Sequence, residues 1–140
     1  MRSLGLDIGD KRIGVALSDP DGILASPLAI INRRDESWDI EAIIDIIRGR
    51  GVGRVIVGLP YSLDGSLGSQ AEKVEAFTQR LASRLQVPLE YRDERLTTVM
   101  AERLRRAAGG KKTGKTRDDA QAAALILQGY LDEGRELRSP

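Results

Sequence analysis

"RSLGLDIGDKRIGVALSD", residues 2–19, decides the fold. Two short apolar runs separated by Asp10-Lys11 make the pattern of paired strands. The next residues, "DPDG" (19–22), read as a turn, and "ILASPLAIIN" (23–32) as a third strand in which Pro27 marks a bulge or an edge. Within the first run, Asp7 sits between apolar neighbours and is flanked by Gly5 and Gly9. An ionised carboxylate in such a strand is costly unless it is paired or bound to a metal, so Asp7 is either a functional group or the surface end of its strand.

Outward from this hairpin, "SWDIEAIIDIIRGRG" (37–51) carries Trp38, Ile40, Ile43, Ile44 and Ile47 at helical spacing, closed by Gly49 and Gly51. "RVIVGLP" (54–60) is a buried strand stopped by Pro60. A loop then leads into a helix with Val74, Phe77, Leu81 and Leu85 on one face. "VPLEYRDE" (87–94) is a fifth strand, "TTVMAERLRRAA" (97–108) a helix, and "DDAQAAALILQGYLDEG" (118–134) the last helix. The expected order is β-β-β-α-β-α-β-α-α, one α/β domain with a mixed five-stranded sheet flanked by helices.

Composition narrows the chemistry. With 140 residues, 41% of them hydrophobic and 31% charged, the chain suits a single soluble domain. No apolar run approaches the ~18 residues of a membrane-spanning helix. The beginning, "MRSLGLDIGD", is too polar for a secretory signal, so a cytoplasmic location is expected. There is no cysteine, which excludes disulfides and thiolate chemistry, and no histidine, which removes the commonest general base and transition-metal ligand. Carboxylates remain, and they suit hard cations such as Mg²⁺ or Mn²⁺.

Charge is uneven. Between Arg95 and Arg117 lie eight basic residues (Arg95, Arg103, Arg105, Arg106, Lys111, Lys112, Lys115, Arg117) and one acid, Glu102, leaving 14 basic and 20 acidic residues elsewhere. A basic segment on a mildly acidic body points to a polyanion, or else to a solvated helix face and loop. This segment includes "GGKKTGKT" (109–116), which satisfies the phosphate-cradling G-x-x-x-x-G-K-[ST] pattern. Such a loop joins a strand to a helix, whereas the preceding residues here read as helix. Only 24 residues follow Thr116, too few for a later metal-binding strand. The pattern is therefore read as a basic loop and not as a nucleotide site.

Three acidic positions could share a metal site. Asp7 is the first. Asp93 and Glu94 end the fifth strand, and because adjacent strand residues face opposite ways only one of them can join Asp7. Asp118 and Asp119 open the last helix, where acids are also common for capping and dipole reasons. Two metals held about 3.5–4 Å apart can align a water and stabilise the leaving oxygen of a phosphodiester, without histidine or cysteine. Turn chemistry accounts for Asp10, Asp19, Asp21 and Asp64. Lys11 and Arg12 either meet a phosphate or close a charge pair in the hairpin. Tyr91, Phe77 and Trp38 read as core residues, since 4% aromatics make a poor stacking platform.

Four blocks, "LGLDIGDKRIGVALSD", "VIVGLPYSLDGSLGSQA", "YRDERLTTVMAE" and "DDAQAAALILQGYLDEG", resemble the signature blocks of the bacterial YqgF/RuvX family, in the same order and over residues 3–134. That family is described as pre-16S rRNA nucleases or Holliday junction resolvases with an RNase H-like fold. The resemblance implies an RNase H-like nuclease domain over residues 1–134, a flexible tail over 135–140, and a catalytic, metal-holding set of Asp7, Glu94 and Asp119, with Asp118 as substitute. It implies Mg²⁺ or Mn²⁺, two ions, bridged by Asp7. Lys11, Arg12, Arg95, Lys111, Lys112, Lys115 and Arg117 would contact nucleic acid, either pre-rRNA or branched DNA, and a junction would call for a homodimer. Asp10 departs from the family pattern, where a small or neutral residue is usual. A non-catalytic binding module is the rival reading. A sugar-kinase or actin-like ATPase shares the D-x-G opening but needs two such domains.

Overall fold

Alternation and turn chemistry in the first 32 residues produce a three-strand meander: β1 (Arg2–Ile8), β2 (Arg12–Ser18) and β3 (Ala25–Asn32). The computed structural model describes residues 1–61, 64, 65, 67–94 and 119–138. At the β2–β3 turn, Asp19 Oδ1 accepts the amides of Ile23 (2.7 Å) and Leu24 (2.8 Å), while Gly22 takes φ 72°. The Leu24 amide is the main cause holding the Asp19 carboxyl below its ordinary pKa. Both expectations for Pro27 hold: β3 is an edge strand, and the register shifts beside it, Val15 pairing with Ala29 but Ala16 with Pro27.

Helix α1 (Glu36–Arg50) is capped by Asp35, which accepts the Trp38 amide at 2.8 Å, and it ends on Gly51 in the left-handed region (φ 64°). Its buried face holds Ile40, Ile43, Ile44 and Ile47 as the spacing predicts. Trp38 departs from the expectation: it is 38% exposed, whereas Asp39 beside it is 1% exposed. Strand β4 (Val52–Leu59) pairs in parallel with β1, helix α2 (Ser69–Ala82) buries Val74, Phe77 and Leu81, and β5 (Leu89–Asp93) pairs in parallel with β4. Helix α3 runs from Asp119 to Arg138. The helix expected over 97–108 and the loop "GGKKTGKT" lie outside the described residues.

The five strands form one mixed sheet in the order β3-β2-β1-β4-β5. Its two faces differ. Leu4, Leu6, Ile8, Val55, Val57 and Leu59 meet α1 and α2 in the larger core. On the other face Ala16 and Ile56 meet Ala123, Ile126, Leu127 and Leu131 of α3. Here the helix lies very close, because a Cβ on Gly5 would stand 2.8 Å from Leu127 Cβ and 2.9 Å from the Ala123 carbonyl oxygen. Among the described residues no helix is long and apolar enough to cross a membrane.

Candidate active site

Strands β1, β4 and β5 run parallel, so their carboxyl ends (Ile8, Leu59 and Asp93) share one edge of the sheet. In open α/β sheets this edge is where ligands bind. Asp7 belongs to the face of Gly5, two residues back, which is the face covered by α3. Its antiparallel partner is Gly14. A Cβ on Gly14 would lie 1.8 Å from the Asp119 carbonyl oxygen and 2.2 Å from the Asp119 carbonyl carbon. The start of α3 therefore rests on the residue directly opposite Asp7, and this contact brings the Asp119 backbone to the strand pair that carries Asp7.

Asp119 is not bare. Its Oδ2 accepts from Arg12 Nε at 2.8 Å, an exposed pair that joins β2 to α3 across the sheet face. The charge pair expected within the hairpin is thus made with a residue 107 positions away.

The third expected carboxylate, Glu94, directly follows β5. Gly58 of β4 pairs with Arg92 of β5, and both face α3: a Cβ on Gly58 would touch Ile126, and Arg92 donates to Glu133 Oε1 at 2.8 Å. Alternation within β5 gives Asp93 to the other face, whereas the strand expected to reach Glu94 stops at Asp93 and the chain turns helical at Glu94, so alternation assigns Glu94 no face. Strand β5 stands two strand spacings from β1, roughly 9–10 Å. Among the described residues, no three acidic side chains are close enough together to hold a metal ion. Arg95, Lys111, Lys112, Lys115, Arg117 and Asp118 lie outside those residues.

The hairpin tip is fixed by residues the sequence did not single out. Gly9 donates its amide to the Arg12 carbonyl at 2.9 Å. Arg33, just past β3, donates Nη1 to the Gly9 carbonyl and its backbone amide to the Lys11 carbonyl, each at 2.9 Å. Its Nε donates to Asp39 Oδ2 at 3.0 Å, and its guanidinium lies 4.8 Å from the centroid of the Phe77 ring. One buried carboxylate and one guanidinium thus lock β3, α1, α2 and the tip beside Asp7. Lys11 is exposed, and Asp10 points outward to Lys73 on α2, 3.9 Å away. Of the aromatic residues expected in the core, Phe77 is there (3% exposed), but Tyr91 and Trp38 are not (39% and 38%). The helical period itself separates Trp38 from the isoleucines, because at about 100° per residue it stands roughly 200° from Ile40 and roughly 120° from Ile44.

The sequence profile described as "RuvX: Holliday junction resolvase" matches residues 1–133. A protein of a Synechococcus species named "Putative pre-16S rRNA nuclease" is 50% identical over 137 residues, covering 97% of this chain and 92% of its own. One of the same name from Desulforamulus reducens is 46% identical, covering 96% and 98%. Among solved structures, Thermus thermophilus RuvC in complex with a Holliday junction substrate superposes with a TM-score of 0.70 at 12% identity, covering 99% of this chain and 98% of that one. The fowlpox virus resolvase bound to junction DNA gives 0.53 at 14%, covering 95% and 98%. At these identities the likeness concerns the fold, which is that of the RNase H-like resolvases.

Proposed function

The chain belongs to the RuvX family and is a nuclease by that kinship, and we propose that it is a metal-dependent endonuclease of structured nucleic acid that trims the 5′ end of pre-16S rRNA. One observation supports the site most directly: Asp119 is seated on Gly14, the cross-strand partner of Asp7. The name shared by relatives at 46–50% identity over nearly the whole chain supports the substrate. The compartment proposed is the cytoplasm.

Asp7, Glu94 and Asp119 would hold Mg²⁺ or Mn²⁺, two ions in the full site, with Asp118 able to stand in for Asp119. Carboxylate oxygens without histidine or cysteine suit such hard cations. When bound, they lower the pKa of a water and offset charge on the reacting phosphate. The remaining work falls to side chains. Asp7, on the central strand, fixes the reacting position. Arg12 neutralises Asp119, and a substrate phosphate would compete for its guanidinium. Lys11, Arg12, Arg95, Lys111, Lys112, Lys115 and Arg117 would follow the backbone of the nucleic acid through salt-sensitive contacts that ignore sequence.

A second reading, cleavage of four-way DNA junctions, is favoured by the family's description as junction resolvases and would require a homodimer. Labelled structured RNA, single-stranded RNA and a four-way junction, incubated in parallel with Mg²⁺ or Mn²⁺, separate the two. Selective trimming of RNA is expected, and symmetric nicking of the junction would transfer the assignment to the second reading. Asp7→Asn should abolish cleavage while leaving binding and melting temperature in place. Cleavage that survives this substitution removes Asp7 from the site.

A further inference from the structure

Trp38 is the only tryptophan in the chain and belongs to a helix whose apolar face is already complete without it. It is 38% exposed, and the guanidinium of Arg34, itself exposed, lies 4.3 Å from the centroid of its ring. The pair is held from behind. The Arg34 amide donates to Asp39 Oδ1 at 3.0 Å, the Trp38 amide donates to Asp35 Oδ1 at 2.8 Å, and Asp39 is gripped by Arg33. Arg33 in turn holds the carbonyls of Gly9 and Lys11, and Gly9 is two residues past Asp7. An exposed indole with a guanidinium on it is thereby pinned to the same hairpin as the candidate catalytic carboxylate. It stands at the sheet edge where α1 begins.

A flat π surface beside a cation, Arg34, matches the two parts of a nucleotide: a base to stack and a phosphate to neutralise. Bases within a duplex keep their faces covered by neighbours, so only an unpaired base can use such a surface. We propose that Arg34 and Trp38 form a stacking platform for an unpaired base of the substrate strand, at the end of the sheet that carries Asp7 but on the side of α1, opposite the face of Asp7. This rests on the nuclease reading and sharpens it: the preferred substrate carries a single-stranded segment that reaches around this end of the sheet.

Trp38 supplies its own readout, because selectively excited tryptophan emission comes from this residue alone. The full chain, without added divalent ion, is titrated with a short fluorescently labelled single-stranded oligoribonucleotide, with the same strand made abasic, and with the corresponding duplex. Anisotropy of the label reports binding, and an unlabelled series reports tryptophan emission. The single strand should quench the emission and the abasic strand should not. Trp38→Ala should weaken single-strand binding about ten-fold, the range of one lost base stack. Trp38→Phe should keep most of the binding, and circular dichroism should show both variants folded. If the strand binds but emission stays constant and Trp38→Ala binds as well as the parent, the platform is overturned and the nuclease reading stands. If no strand or duplex binds, both fall.

Discussion

The two faces of the sheet are built to different standards. Toward α1 and α2, large aliphatic side chains interdigitate, with Leu4, Leu6, Ile43, Val55 and Val57 essentially inaccessible. Toward α3, the sheet offers Gly5, Gly14 and Gly58 and the small Ala16, and the helix answers with Ala123 beside Ile126 and Leu127. The first face stabilises through volume and the second through proximity. Burial scales with apolar area, so the α1–α2 face carries most of the folding free energy. The glycine face gives up area so that the backbone of Asp119 can come down beside Asp7. Stability and placement of the carboxylates are therefore assigned to opposite sides of one sheet.

Three substitutions could break that division. Ile43→Ala on the thick face should cost about 2–5 kcal/mol of stability. Per folded molecule it should leave cleavage near the parent value, measured as denaturant melts alongside active-fraction assays; a matching loss of specific activity would deny the separation of faces. Gly14→Ala on the thin face should cost less, about 1–3 kcal/mol. By displacing Asp119 it should lower cleavage about 10²-fold, the effect of a misplacement near 1 Å. Unchanged cleavage would mean that the seat of α3 on Gly14 is not needed. Arg12→Ala should have the smallest effect on stability, below ~1 kcal/mol, because the pair with Asp119 is exposed. Removing this competing cation should tighten Mn²⁺ binding by calorimetry while weakening nucleic-acid binding. Weaker Mn²⁺ binding would show that Arg12 supports the carboxylate set instead of competing with it.

Much of the thick face was legible in the sequence, because its elements obey simple periods. The β1–β2 hairpin, the isoleucines of α1 and the β4 run all follow from spacing, and Pro27 announced the irregular edge. What escaped depends on side-chain contacts that no period encodes. Asp39 looks like an ordinary solvent-facing acid until Arg33, six residues earlier, folds back onto it, and Trp38 reads with the isoleucines as apolar although the helical period sets it apart from them. The Arg12–Asp119 bond spans nearly the whole chain, and no local pattern encodes it. For the carboxylates, composition directed attention to acids and strand alternation limited β5 to one of two. The choice of Glu94 came from family resemblance, and the register of β4 with β5 stops at Asp93, one residue short of it.

The position of β1 bears on how such a site could assemble. The strand is bonded on both sides, to β2 and to β4; Asp7 pairs with Gly14 of β2 and directly follows Leu6, which pairs with Val57 of β4. Glu94 stands just beyond the end of β5, and Asp119 is the first residue of its helix. Element ends open at far lower free energy than central strands. If the three carboxylates form the proposed site, Asp7 would be its fixed post, and any adjustment around a cation would fall to Glu94 and Asp119. The reference point for the geometry, and the last amides to exchange with solvent, should be those around Asp7.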